Sequence, residues 1–161
     1  MLSKKPGCLA VLFGIRAKPQ AIFPFKAKPY FFSNAEASFY HLLRQMVGES
    51  ALVFPHVALR DLVTITGINK SDYYKYYNQI DRKQIDFLLV DAKNLKPMLV
   101  IELDDSSHQR PDRIERDQFV EKVLSVTKIP LARVPVKQAY DPKELGALFK
   151  KAMQANQQKM D

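Results

Sequence analysis

Ile85-Asp86-Phe87-Leu88-Leu89-Val90 and Met98-Leu99-Val100-Ile101-Glu102-Leu103-Asp104-Asp105 are short apolar runs that each carry acid where a core strand ordinarily has none. Their length and branched residues predict strands, and near-continuous hydrophobicity rather than strict alternation predicts burial on two faces. Asp91-Ala-Lys-Asn-Leu-Lys-Pro97 is rich in turn formers, so the two strands should form an antiparallel hairpin with helices on both sides. Strand alternation groups Asp86 with Leu88 and Val90, and Glu102 and Asp104 with Val100. An unpaired carboxylate among apolar groups is costly, so these acids need a raised pKa, a cation or a metal ion.

Upstream, Ser33-Asn-Ala-Glu36 has capping-box spacing ahead of Ala35, Phe39, Leu42, Leu43 and Met46, with Gly48 as a stop; a helix is predicted over 34–47. Leu52 to Leu59 reads as a strand that places Pro55 at an edge or bulge. In residues 70–82, Tyr73, Tyr77 and Ile80 recur at helical spacing, which favours ordinary packing. The competing reading is that tyrosines among Lys70, Lys75, Arg82 and Lys83 stack on unpaired bases.

Downstream, a helix from about Asp112 to Val126 presents Phe119, Val120, Val123 and Leu124, and Leu131 to Val136 forms a strand. Asp141-Pro-Lys-Glu144 then supplies an N-cap, a proline at the first helical position and an acid for the last helix, with Leu145, Leu148 and Phe149 inward. This order predicts an α/β domain over residues 33–157 with a four-stranded mixed sheet, because the hairpin is antiparallel and a crossover helix leads to a parallel fourth strand. Residues 1–32 form a basic arm and 158–161 a tail.

The chain has 161 residues and a net charge of +8. Lys4, Lys5, Arg16, Lys18, Lys26 and Lys28 lie in the arm with no acid, which favours a polyanionic partner, whether nucleic acid or an anionic membrane surface. Gly7 to Ile15 is too short to span a bilayer, leaving a membrane-proximal arm only as the weaker alternative to a disordered or loosely packed one. The lone Cys8 excludes an internal disulfide framework and points to a reducing, cytoplasmic setting. Five scattered glycines form no phosphate-cradling loop, and neither GxSxG nor HExxH occurs.

Register could bring Asp86 and Glu102 together at one end of the sheet, with Asp104 just beyond. Acids that close repel one another, and a hard divalent cation relieves the repulsion; magnesium commonly uses one or two protein carboxylates with water and phosphate oxygens. His108, on the loop entering the crossover helix, suits proton transfer or substrate positioning. Among Arg110, Arg113 and Arg116, the last is the preferred phosphate contact. Glu36 is either a capping acid alone or a group that reaches the site.

These residues resemble a known family. The hairpin and following helix look like the PD-(D/E)xK, or restriction-endonuclease-like, superfamily. Ile85-Asp86-Phe87, Glu102-Leu-Asp104-Asp105, His108 and Asp112 through Arg116-Asp117 closely resemble the bacterial domain-of-unknown-function family 2726, over about Pro29 to the last helix. This branch is related to very-short-patch-repair-like endonucleases. The resemblance implies a three-layer core and magnesium-dependent hydrolysis of DNA, with manganese as a substitute and Asp86 and Glu102 as metal ligands. Asp104 stands where the superfamily motif has lysine, so Lys83, Lys122 or His108 would have to supply the missing charge. The alternative is an inactive nucleic-acid-binding or interaction module on the same scaffold. Residues alone do not set the oligomeric state.

Overall fold

Phe87 and Leu88 are adjacent in the chain yet belong to different hydrophobic cores, and that separation organises the molecule. The computed structural model describes residues 23–104 and 111–157, with 111–116 and 157 as backbone only. The chain divides into two units, Met1–Phe31 and Phe32–Asp161. In the first, residues 23–31 form neither helix nor strand.

The second unit runs α1 (Asn34–Val47), β1 (Ala51–Ala58), α2 (Leu59–Leu62), α3 (Lys70–Asp81), β2 (Gln84–Asp91), β3 (Pro97–Asp104), α4 (Pro111–Val126), β4 (Leu131–Pro135) and α5 (Pro142–Gln157). The sheet order is β1-β2-β3-β4, antiparallel except for the parallel β3–β4 pair. The fold is therefore α/β with a mixed four-stranded sheet between helical layers, as the residue pattern predicts.

Local chemistry explains the main boundaries. Ser33 Oγ accepts from Glu36 N at 3.3 Å and Glu36 Oε2 accepts from Ser33 N at 2.7 Å, closing the capping box of α1. At its other end Gly48 takes φ +53°, a left-handed value that glycine adopts without a Cβ penalty. In the hairpin turn, Asp91 Oδ1 accepts from the backbone N–H groups of Asn94 and Lys93, at 2.9 and 2.8 Å. Those bonds hold the Asp91 carboxyl below the usual carboxylate range.

One face of the sheet carries Val53, Phe87, Leu89, Leu99, Ile101, Leu103, Ala132 and Val134 against Phe39 and Leu43 of α1 and Leu145 and Phe149 of α5. The other carries Leu88, Val90 and Val100 against Leu59 of α2, Ile80 of α3, and Val120 and Leu124 of α4. The packing expected of Phe119, Val120, Val123, Leu124, Leu145, Leu148 and Phe149 is thus realised.

Of the three α3 residues expected to pack, Ile80 is buried and Tyr77 half-buried, but Tyr73 is 39% exposed; Tyr74 and Tyr76, outside that spacing, are 55% and 45% exposed. With only one turn of α2 and the 63–69 connection beside it, α3 has little apolar surface to cover. The tyrosines pack on one another instead: Tyr73 and Tyr77 stack at 6.0 Å, and Tyr74 meets Tyr73 edge-on at 5.7 Å.

Phe87 has no exposed surface and lies within ring contact of Phe39 at 5.5 Å and Phe32 at 6.2 Å. Phe87→Ala should cost about 3–5 kcal/mol through lost transfer energy and a residual cavity. Phe54→Ala, at a position 44% exposed, should cost less than about 1 kcal/mol. Urea unfolding of the two variants checks the contrast.

Candidate functional site

The β2–β3 ladder pairs Leu89 with Leu99, Leu88 with Val100 and Phe87 with Ile101, and there it ends. One step further along the same register stands Asp86 opposite Glu102. β2 continues its pairing with β1 as far as Gln84, while β3 continues with β4 as far as Asp104. The sheet therefore forks, with one acid on each prong. Extended by one position, the register sets the two residues across from one another at one end of the sheet.

Strand alternation also slips here. Ile85 joins the same core as Leu88 and Val90, although Phe87 belongs to the opposite one. Asp86 lies within that slip, and its Oδ2 accepts from Leu103 N at 2.7 Å. A side-chain oxygen thus satisfies a β3 donor beyond the last ladder pair, orienting the Asp86 carboxylate across the fork.

The acids belong to a longer row. Pro55 pairs with Phe87 and Val57 with Ile85, so His56 stands opposite Asp86; Glu102 in turn pairs with Arg133 of β4. His56, Asp86, Glu102 and Arg133 therefore come from four strands and fall on one line across the sheet.

At one end of the row, His56 has φ +52°, an uncommon value for a non-glycine residue within a strand. Its Nε2 lies 3.0 Å from Glu36 Oε1, the capping acid of α1. Burial tends to raise the Glu36 pKa. The Ser33 backbone N–H and the His56 ring outweigh that tendency and hold the carboxyl below its ordinary value. Glu36 thus caps its helix and also joins the row through His56. His56 carries no signal in the sequence that the expected strand does not already explain; its importance comes from register and from a helix twenty residues earlier.

At the other end, Arg133 binds three carboxylates. Nη1 lies 3.0 Å from Asp104 Oδ1 and 3.8 Å from Asp117 Oδ2, while Nε donates to Glu121 Oε1 at 2.9 Å. Burial opposes the guanidinium charge, but the Glu121 bond and the charge and bond of Asp104 outweigh it and raise the Arg133 pKa. Asp104 therefore has a cation across the β3–β4 pair. Arg133 is absent from the residues expected to supply positive charge, because its neighbours in sequence are apolar.

The two remaining candidates with described side chains, Lys83 and Lys122, fall elsewhere. Lys83 Nζ lies 6.0 Å from the centroid of the Phe119 ring, and Lys122 lines a groove between α3 and α4. Arg113 and Arg116 stand in the first turns of α4, described there as backbone. His108 and Arg110 lie outside the described residues. Among the described residues, no group of three or more His, Cys, Asp or Glu side chains is gathered so as to hold a metal ion. No helix in the described residues is long and apolar enough to cross a membrane.

Arg133→Met leaves Asp104 and Asp117, each about a quarter exposed, facing one another without their cation. It should cost about 2 kcal/mol in urea unfolding, the scale of hydrogen bonds to charged groups. Arg133→Lys should recover only part, since an ammonium lacks the fork that reaches several acceptors.

Because the folded Glu36 pKa lies below the ordinary 4.5, its contribution is complete above that value and lost as pH falls through the folded value. Glu36→Gln should therefore be less stable than the native chain at pH 7, with the gap narrowing below pH 4.5, as urea unfolding across pH will show.

No curated protein and no solved structure matches the chain. Residues 28–153 match the family described as Protein of unknown function (DUF2726), a span that takes in all four strands and the whole His56–Asp86–Glu102–Arg133 row. The chain belongs to that family.

Proposed function

We propose that the chain is a magnesium-dependent nuclease that hydrolyses DNA phosphodiester bonds on a restriction-endonuclease-like, PD-(D/E)xK scaffold. The observation that carries this reading is the fork, where β2–β3 pairing ends at Phe87↔Ile101 and the next register position sets Asp86 against Glu102. Asp86 and Glu102 are hard oxygen donors on separate strands, and two carboxylates completed by water and phosphate oxygens suit magnesium. With Asp104 bonded to Arg133, the fitting donor set is this pair rather than all three acids. Bound between them, the ion would supply charge to the phosphodiester and activate water.

The protein groups divide the remaining work. The Leu103 N–H orients Asp86, and Arg133 offsets the negative charge of Asp104 beside Glu102. The basic residues of the N-terminal segment attract the nucleic-acid backbone. His108 remains the proposed group for proton transfer and Arg116 for phosphate contact. A reducing, cytoplasmic setting fits the single Cys8.

One observation favours a second reading, a binding module without turnover. Asp104 stands at the motif's lysine position, and the nearby Arg133 is shared among Asp104, Asp117 and Glu121. A cation so divided is a weaker stabiliser of charge developing on phosphate.

Plasmid DNA incubated with magnesium or manganese separates the readings. The nuclease reading expects cleavage by the native chain, its abolition by EDTA, and a loss of about a hundredfold or more in Asp86→Asn and Glu102→Gln, the scale of a lost electrostatic contact to a transition state. Salt-sensitive DNA binding with no cleavage by any of the three would establish the binding module instead.

A further inference from the structure

We propose that the groove between α3 and α4 binds unpaired nucleotides of a nucleic-acid strand, with Tyr76 and Phe119 as stacking surfaces and Lys75 and Lys122 as phosphate contacts. This deepens the nuclease reading by naming an unpaired segment as a feature of its substrate; it rests on that reading for its role in cleavage, while binding in the groove stands by itself.

The groove has a volume of about 580 Å³, within the roughly 300–1,000 Å³ range of small-ligand sites. It lies between Tyr76 of α3 and Phe119 of α4, with the 63–68 segment along one side. Lys75 and Lys122 line it, and among the described residues no Asp or Glu does. An apolar, aromatic floor flanked by cations is complementary to a base attached to a phosphate, and is poorly suited to a cationic ligand. Thr64, Thr66 and Gln79 add hydrogen-bonding groups.

The exposure of Tyr76 strengthens the assignment. Its ring, 45% exposed beside Lys75, is expensive to keep in water and well matched to stacking, which tolerates every base. The groove is linked to the fork in sequence through Lys83, which lies over the Phe119 ring and directly precedes the β2 strand that carries Asp86.

The test is fluorescence anisotropy of the full chain with labelled oligothymidylate, oligouridylate and a duplex of equal length, in EDTA so that no cleavage intervenes. Tighter binding of a single strand than of the duplex is expected, weakened about tenfold by Tyr76→Ala and retained by Tyr76→Phe. The stronger of the two single strands identifies the sugar. Tyr74→Ala, which alters the same helix outside the groove lining, should bind as the native chain does. Combining Lys75→Gln with Lys122→Gln should make binding less dependent on salt.

Equal binding by native and Tyr76→Ala chains, equal loss in Tyr76→Ala and Tyr74→Ala, or no binding to any oligonucleotide would overturn the proposal. Plasmid cleavage with Tyr76-independent binding defeats this inference and leaves the nuclease reading intact. Tyr76-dependent binding without any cleavage does the reverse.

Discussion

The central hairpin is apolar on both faces, and neither face can be left in water. Phe87, Leu89, Leu99 and Ile101 require α1 and α5, whereas Leu88, Val90 and Val100 require α2, α3 and α4. Burying a large aliphatic or aromatic side chain contributes about 1.5–3 kcal/mol relative to leaving it exposed. The helices on each side are therefore positioned by the same residues that make β2 and β3 strands. The parallel β4 follows, because a crossover through α4 covers the second face and returns the chain beside β3.

The same hairpin creates the chemical end of the molecule by failing to continue. Past Phe87 and Ile101, β2 remains with β1 and β3 with β4, and the opening is lined by acids rather than closed by another ladder pair. Asp86 satisfies the Leu103 amide of β3, beyond the break. Arg133 then limits the repulsion that Asp104, Asp117 and Glu121 would otherwise produce between β3 and α4. Charge balance at the fork is consequently a cross-strand and strand-to-helix property.

Much of the fold was legible because it depends on local periodicity. Ser33 and Glu36 define the start of α1, Asp91 and Asn94 define the hairpin turn, and the apolar spacing of α4 and α5 identifies the faces that pack. The α3 tyrosines were less legible. Tyr73, Tyr77 and Ile80 have one spacing, yet Ile80 is buried while Tyr73 is 39% exposed, because spacing states which residues share a face without stating how much neighbouring surface exists to cover it.

The candidate site divides along the same line. Asp86 and Glu102 stand out in sequence because acid interrupts apolar strands, and the family match over residues 28–153 includes both. Their juxtaposition with His56 and Arg133 is different in kind. His56 meets Glu36 and stands opposite Asp86; Arg133 pairs with Glu102 and binds Asp104 from another strand. The sequence by itself determined the elements and the placement of acids within them, since both follow from local chemistry. Only the tertiary structure decided which acids face one another and which receive a cation, since strand register and helix packing join residues far apart in the chain.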